Sequence, residues 1–331
     1  MSRTIGQAAP SFLFLQRRTF TSISRFLLRY HRHGDSSSAL PASTPLTAEV
    51  AENLGILPAS HWHHDEDDAG ADTDDTASTI GSITSSTASL SESIFEYRQV
   101  LGRTYHRDVG TAEAWQPNDP RHIEAMDLFH HLQTLILSGK LFRAPLSKSI
   151  QKSSISEPAP VFGLIGIVED WERYYQQAFR CCKPGGYVED LTNGVVLDSD
   201  DGTVKEGGAL HQWGKVFHEG GRKLGRTFKV IELGLHKKAM EKAGFVDIVI
   251  EDYKVPIGPW PEDKKRNELG TWAKIAMESD LEGYVNYIWG FVLGWAPEEI
   301  SQYCAAVRRE LKNPNIHSYY RTRVAYGRKP E

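Results

Sequence analysis

Cysteine is scarce, with three in 331 residues, two of them the neighbours Cys181 and Cys182. That leaves no disulfide framework and no zinc-ligand spacing, and it fits a reducing compartment. Long apolar runs are missing as well. No stretch approaches the roughly 18 apolar residues of a spanning helix, so a multi-pass membrane protein is excluded and no transmembrane segment is expected. Excess positive charge is also absent. A net charge of −5 and a pI near 6.2 argue against specific nucleic-acid binding driven by counterion release, and small-molecule or protein partners are expected instead. Internal repeats are not evident.

Local absences divide the chain. Residues 1–34 contain no Asp or Glu but six arginines, Arg3, Arg17, Arg18, Arg25, Arg29 and Arg32, with Phe and Leu between them. A cationic amphipathic helix of this kind is the profile of a mitochondrial presequence, a disordered basic extension or a misplaced start codon being the alternatives. Residues 35–93 lack the apolar content of a core. Seven acids fall in residues 65–75, and Ser or Thr fills eleven of the eighteen positions 76–93, so a disordered acidic and Ser/Thr-rich tail is expected. His61, His63 and His64 precede the acids, but a solvated tract has nothing to orient the imidazoles, and no metal site is assigned.

The folded part declares itself at Asn118-Asp119-Pro120, an Asx cap followed by proline at the first helical position. Ile123, Leu128, Phe129, Leu132, Leu135 and Ile136 then recur at three- and four-residue steps until Ser138-Gly139, and His130 and His131 within the run are read as packed or capping. Asp170-Trp171 opens a second helix whose stripe is Tyr174, Tyr175, Ala178, Phe179 and Cys182. Lys183-Pro184-Gly185-Gly186 stops it and Tyr187-Val188 starts a strand, an αβ unit of a layered sheet. Further on, residues 210–224 read as a helix with Trp213 and Phe217 on one face. Residues 232–242 form a helix stopped by Gly244, and Val246, Ile248 and Ile250 lie on one face of a strand. The proline-rich stretch 256–261 is a rigid loop. Helices are expected over 264–278, 282–293 and 297–312, the last with the stripe Ile300, Tyr303, Cys304, Val307 and Leu311. A partly exposed final strand alternates through Ser318, Tyr320, Thr322, Val324 and Tyr326, and pairs antiparallel with the preceding strand at a sheet edge.

Several blocks, in order, resemble the fungal LaeA-like S-adenosylmethionine-dependent methyltransferases, a class I Rossmann-like family. They are Ser86-Thr87-Ala88-Ser89-Leu90 with IFEYRQVLGRTYH at 94–106, DLFHHLQTLILSGKLFRAP at 127–145, DWERYYQQAFRCCKPGGYVE at 170–189, AGFVDIVIEDYKVPIGPWPEDKK at 243–265 and VAYGRKP at 324–330. The resemblance implies a methyltransferase-like domain over 94–331 and S-adenosyl-L-methionine as cofactor. It also implies a role in secondary-metabolism regulation, a nuclear or cytoplasmic location against the mitochondrial one of the arginine-rich start, and pocket candidates Tyr97, Tyr105, His106, Asp170 and Trp171. Methyl transfer asks little of such a protein, because the sulfonium already carries an activated methyl group that needs only alignment and exclusion of water.

The family pattern then breaks. A strand, a glycine-rich loop, a helix and a second strand ending in an acid belong between Pro145 and Val168, where only the twenty-two residues LSKSIQKSSISEPAPVFGLIGI stand. Two βα units need roughly 60 residues at about 30 per motif. The expected fold is therefore α/β, a truncated Rossmann-like sheet without its cofactor-binding half. Gly163 and Gly166 read as tolerated glycines of a short buried strand, not as the missing loop. Three functions follow: an inactive family member acting by protein contact, methyl transfer at an irregular site completed by a second chain, or an incomplete translation of an ordinary methyltransferase gene. Loss of the first strands is also expected to expose an apolar sheet edge that a protein partner covers.

Overall fold

The structure, a computed structural model, describes residues 46–62, 97–106, 114–146 and 164–331. The arginine-rich start, the acidic tract, His63, His64 and Gly163 lie outside the described residues. Part of the stretch read as a disordered tail is nonetheless ordered: helix α1 (Ala48–Asn53) and a 3₁₀ turn at Ala59–Trp62 bury Ile56 and Trp62 to 2% and 5% exposure. Composition misses this because a few apolar residues, with hydrogen bonds to distant partners, fix the segment. A hairpin, β1 (Arg98–Val100) and β2 (Arg103–Tyr105), follows. Its two-residue turn holds Leu101 and Gly102 at φ 48° and 74°, the positive values that match the twist of paired strands. Gly290 makes room for the tip, since a Cβ there would stand 2.2 Å from Leu101 Cδ1.

Helix α2 (Pro120–Ile136) is capped as expected, with the Asp119 carboxylate accepting from His122 N at 3.1 Å. Its buried face differs from the predicted stripe: His122 and Gln133 are inside and Ile123 is 49% exposed, because His122 has an ionic partner described below. His131 meets the Trp272 ring at 4.6 Å. The αβ unit is present as helix α3 (Trp171–Cys181) and strand β3 (Tyr187–Asp198), followed by α4 (Ala209–Lys223), α5 (Leu235–Ala243) and β4 (Val246–Pro256). After the rigid loop come α6 (Lys264–Ser279), α7 (Leu281–Val285), α8 (Pro297–Lys312) and β5 (Tyr319–Arg328). The helix expected over 282–293 is α7 continued by a π-helical segment, Asn286–Val292, whose wider turn buries Tyr287, Ile288, Trp289 and Val292 together.

The sheet order is β3-β5-β4, with both pairings antiparallel. β5 does pair with the strand before it, but it is the central strand and not an edge. Its polar positions find partners on the flanking strands: Thr322 Oγ1 donates to Asn193 Oδ1 at 2.8 Å, and Arg323 forks onto the exposed Asp252 at 2.6 and 2.7 Å. A bulge at Asp247, φ 51°, shifts the register of β4 and bends the strand locally. On one face of the sheet α3 and α5 cover Asp190 and Thr192. On the other, Leu137, Leu191 and Val324 form a small cluster. No strand among the described residues pairs with the outer edge of β3, yet the apolar exposure expected there is not found at its centre, where Asp190, Leu191 and Thr192 are at most 4% exposed. No helix among the described residues is long and apolar enough to cross a membrane.

Candidate functional site

The predicted pocket residues fall into two clusters. Tyr97, Tyr105 and His106 lie on or beside the hairpin. Tyr105 is fully buried against Tyr287, ring centroids 5.3 Å apart, and burial pushes its hydroxyl far above the usual tyrosine range. Tyr97 is 46% exposed, its ring edge-on to His106 at 5.8 Å, and burial lowers the His106 imidazole. Arg98 ties the strands to the body of the protein. It donates to His106 O, Ala114 O and Tyr287 Oη at 3.2, 2.8 and 3.1 Å and lies over the Tyr287 ring.

Beneath the hairpin is an ionic cluster that sequence spacing does not reveal. Arg103 bridges Asp119 and Asp280, giving Asp280 two hydrogen bonds of 2.9 Å. Asp280 is fully buried and also meets His122 Nδ1 at 2.7 Å and Arg121 Nε at 3.2 Å. Burial alone raises a carboxyl pKa, but the hydrogen bonds from His122 and Arg103 outweigh it and hold Asp280 below the usual range. An acid that stays ionised between cations positions a hairpin; it does not relay protons.

Asp170 and Trp171 occupy the second cluster, at the start of α3. Asp170 is the cap, accepting from Arg173 N at 3.0 Å. Trp171 is 4% exposed, with the Tyr174, Tyr175 and His236 rings around it. Below it runs a chain of buried polar groups: Tyr175 Oη donates to Asp190 at 3.2 Å, Thr192 Oγ1 donates to Asp190 at 3.1 Å, and His236 Nε2 lies 3.0 Å from Thr192 Oγ1. Burial outweighs those hydrogen bonds and pushes Asp190 up to about 7, and burial, with Arg323 adding to it, drives His236 down to about 3. Trp171 Nε1 and His236 Nδ1 have no partner. A threonine, a histidine and an acid in contact carry the elements of nucleophilic chemistry, but all three are at most 4% exposed. The arrangement is a sealed polar core.

The glycine-rich loop that the resemblance implies for the cofactor is not formed at Gly166. Leu164–Val168 forms a turn, not the short strand expected, because no described strand lies beside it to pair. Gly166 sits at φ 72°, and the Phe228 ring fills the space beside it, with Cζ 2.3 Å from where a Cβ would stand. Trp115 Nε1 closes the turn by donating to Ile165 O at 2.8 Å. A glycine held for an aromatic ring is not one held for a cofactor backbone. Gly166→Ala is accordingly expected to destabilise the protein by about 2–3 kcal/mol, from left-handed strain plus overpacking, read as a lowered midpoint in urea. The larger of two openings, about 560 Å³, is lined by Lys237, Lys238, Arg323 and Glu241, with Arg323 held by Asp252 and Lys237 by Glu241. The smaller, about 110 Å³, lies beside Gly194, Asp198 and Tyr319. Neither contains a predicted pocket residue. No cluster of His, Cys, Asp or Glu able to hold a metal occurs among the described residues.

No family model matches the chain. Individual proteins do. The methyltransferase pytC of Aspergillus terreus is 26% identical over 301 positions, which take in 74% of this chain and 92% of pytC. Since 74% of 331 residues is about 245, about 56 aligned positions of pytC have no counterpart here. The probable methyltransferase tdiE of Emericella nidulans is 35% identical over 49% of this chain and 50% of its own. The secondary metabolism regulator laeA of Gibberella zeae is 26% identical over 50% and 54%. The chain thus spans nearly all of pytC but about half of tdiE and laeA. Among solved structures, Haemonchus contortus phospholethanolamine N-methyltransferase 2 is similar at 17% identity and a TM-score of 0.27, over 50% of this chain and 32% of that one. The chain is thus similar both to methyltransferases and to LaeA-type regulators of secondary metabolism.

Proposed function

We propose that this polypeptide is a degenerate LaeA-like methyltransferase that neither binds S-adenosylmethionine nor transfers a methyl group by itself, and that acts through contact with another protein. In this assignment residues 94–331 are the methyltransferase-like domain and residues 1–93 are appended to it. The observation that carries it is a shortfall of chain: twenty-two residues stand where two βα units belong, and about 56 positions of pytC have no counterpart. The polar groups near the predicted pocket support the same conclusion, since each is spent on packing or on holding the hairpin. Isothermal titration of the purified protein with S-adenosylmethionine and S-adenosylhomocysteine is expected to show no saturable heat; micromolar binding of either would overturn the assignment.

The same shortfall favours a second reading, an incomplete translation of a gene whose whole product is an active methyltransferase of secondary-metabolism regulation. Sequencing transcripts across the codons for Pro145 to Val161 separates the two. A message carrying further in-frame codons at that junction supports the second reading, and an uninterrupted junction supports the first.

A further inference from the structure

Residues 46–62 lie along a groove between α4, the π-helical segment and α8. Their backbone is read by side chains of the domain. Leu57 N donates to Gln212 Oε1 at 3.3 Å, and Gln212 Nε2, on a residue 1% exposed, donates back to Leu57 O at 3.4 Å. Lys215 Nζ donates to Gly55 O at 3.2 Å, and Leu46 N to Leu293 O at 3.2 Å. Two side chains are anchors. Ile56 is 2% exposed, and Trp62 sets its ring edge against Tyr303 at 5.2 Å. The groove floor is fixed without them, because Tyr303 Oη donates to Ala209 O at 2.6 Å and its ring lies 3.9 Å from Trp289. Backbone reading by an amide, flanked by two apolar anchors, is how a domain recognises a peptide.

We propose that Leu46–Trp62 is a displaceable cis ligand, and that the groove beneath it is a peptide-binding site for segments carrying a branched aliphatic residue and, six positions on, a tryptophan. Three observations make the segment a replaceable occupant. The Trp62 indole N–H is buried without a partner, which costs about 1–3 kcal/mol in docking. Helix α1 has six residues, too few to hold their own conformation, so the segment is ordered only while docked. Its outward residues Val50 and Leu54 are 40% and 41% exposed and add nothing to the contact. What holds it is tethering: 34 residues join Trp62 to Tyr97, and a covalent link of that kind supplies a local concentration near the millimolar range.

The test uses the full chain with either Trp62→Ala, which removes an anchor, or Leu57→Pro, which removes the N–H that Gln212 reads and leaves both anchors in place. A fluorescein-labelled peptide of residues 45–63 is titrated by anisotropy into each variant and into the unaltered protein. The peptide is expected to bind both variants saturably and at least tenfold more tightly than the unaltered protein, whose groove is filled, and a peptide with alanine in place of its tryptophan is expected not to bind. Equal binding to all three proteins, or no saturable binding to either variant, overturns the proposal. So does loss of the far-ultraviolet dichroism of both variants, since a displaceable ligand is dispensable to the fold.

Discussion

Asp280→Ala is expected to lower the unfolding free energy by about 3–5 kcal/mol, the range seen when one partner of a buried ion pair is removed. Asp280 is fully buried and answers three cationic or donor groups, Arg103, Arg121 and His122. Alanine leaves Arg103 at 14% side-chain exposure with Asp119 alone, and leaves His122 Nδ1 unpaired at 3%. It also frees the hairpin from α2 and α7, because Arg103 is the strand residue that the cluster grips. Asp119→Ala is the comparison. Asp119 also binds Arg103, but Asp280 remains to neutralise that charge, and the expected loss is about 1–2 kcal/mol, near that of a helix cap. Urea titrations followed by tryptophan fluorescence give both values. A loss under about 1 kcal/mol for Asp280→Ala would mean that the cluster does not hold the hairpin.

The second large effect depends on pH. Asp190 has its carboxyl raised from an ordinary 3.8 to about 7 by complete burial. For an acid whose folded-state pKa lies above the unfolded one, the native state prefers the protonated form. The native state therefore carries no penalty below about pH 4, loses stability progressively from there to about pH 7, and carries the full penalty above it. Three pKa units correspond to about 4 kcal/mol. Asp190→Asn keeps an acceptor for Tyr175 and a polar group for Thr192 but cannot ionise, so the variant is expected to be more stable than the unaltered protein at pH 8, by up to about 4 kcal/mol, and to lose the advantage at pH 4. Asp119, Asp252 and Asp280 titrate in the opposite sense, since each is held below its ordinary value and loses stabilisation as pH falls. Both proteins share those groups, so the difference between them isolates Asp190. Equal stability of the two at pH 8 would contradict the prediction.

Much of the architecture is written locally. Asp119-Pro120, Asp170-Trp171 and Pro297 open helices through their own first turn, and the stripes of α4 and α8 repeat at helical spacing, so neighbours in sequence suffice to read them. The blocks that resemble LaeA-like methyltransferases are legible for the same reason, and the similarity to pytC, tdiE and laeA agrees with them. What the sequence hid depends on distant partners. Asp280 reaches His122 across 158 positions and His236 reaches Thr192 across 44, and nothing near either residue marks it as buried. The centrality of β5 was hidden because its Thr and Arg positions imitate a solvent face, whereas Asn193 and Asp252 on the two flanking strands pair with them. The turn at Gly166 reads as a strand because its apolar residues are those of a strand, whereas among the described residues no strand pairs with it. Of the pocket candidates that the resemblance implies, Tyr105 and Trp171 are buried among other rings, which is not legible in the sequence. Nor did the sequence show that the two clusters stand on different elements, one held by ions and the other by a sealed polar chain.

The order in which the strands leave the ribosome has a consequence for biosynthesis. Among the described residues β3 and β4 are joined through β5, the last of the three to be made, so neither has its strand partner there until residue 319 and beyond have emerged. At about 5–20 residues per second, the interval from the start of β3 to the end of β5 is on the order of ten seconds. Nascent chains wait that long before β5 can join β3 to β4, so slowing of the final codons is expected to lengthen the exposure of both segments.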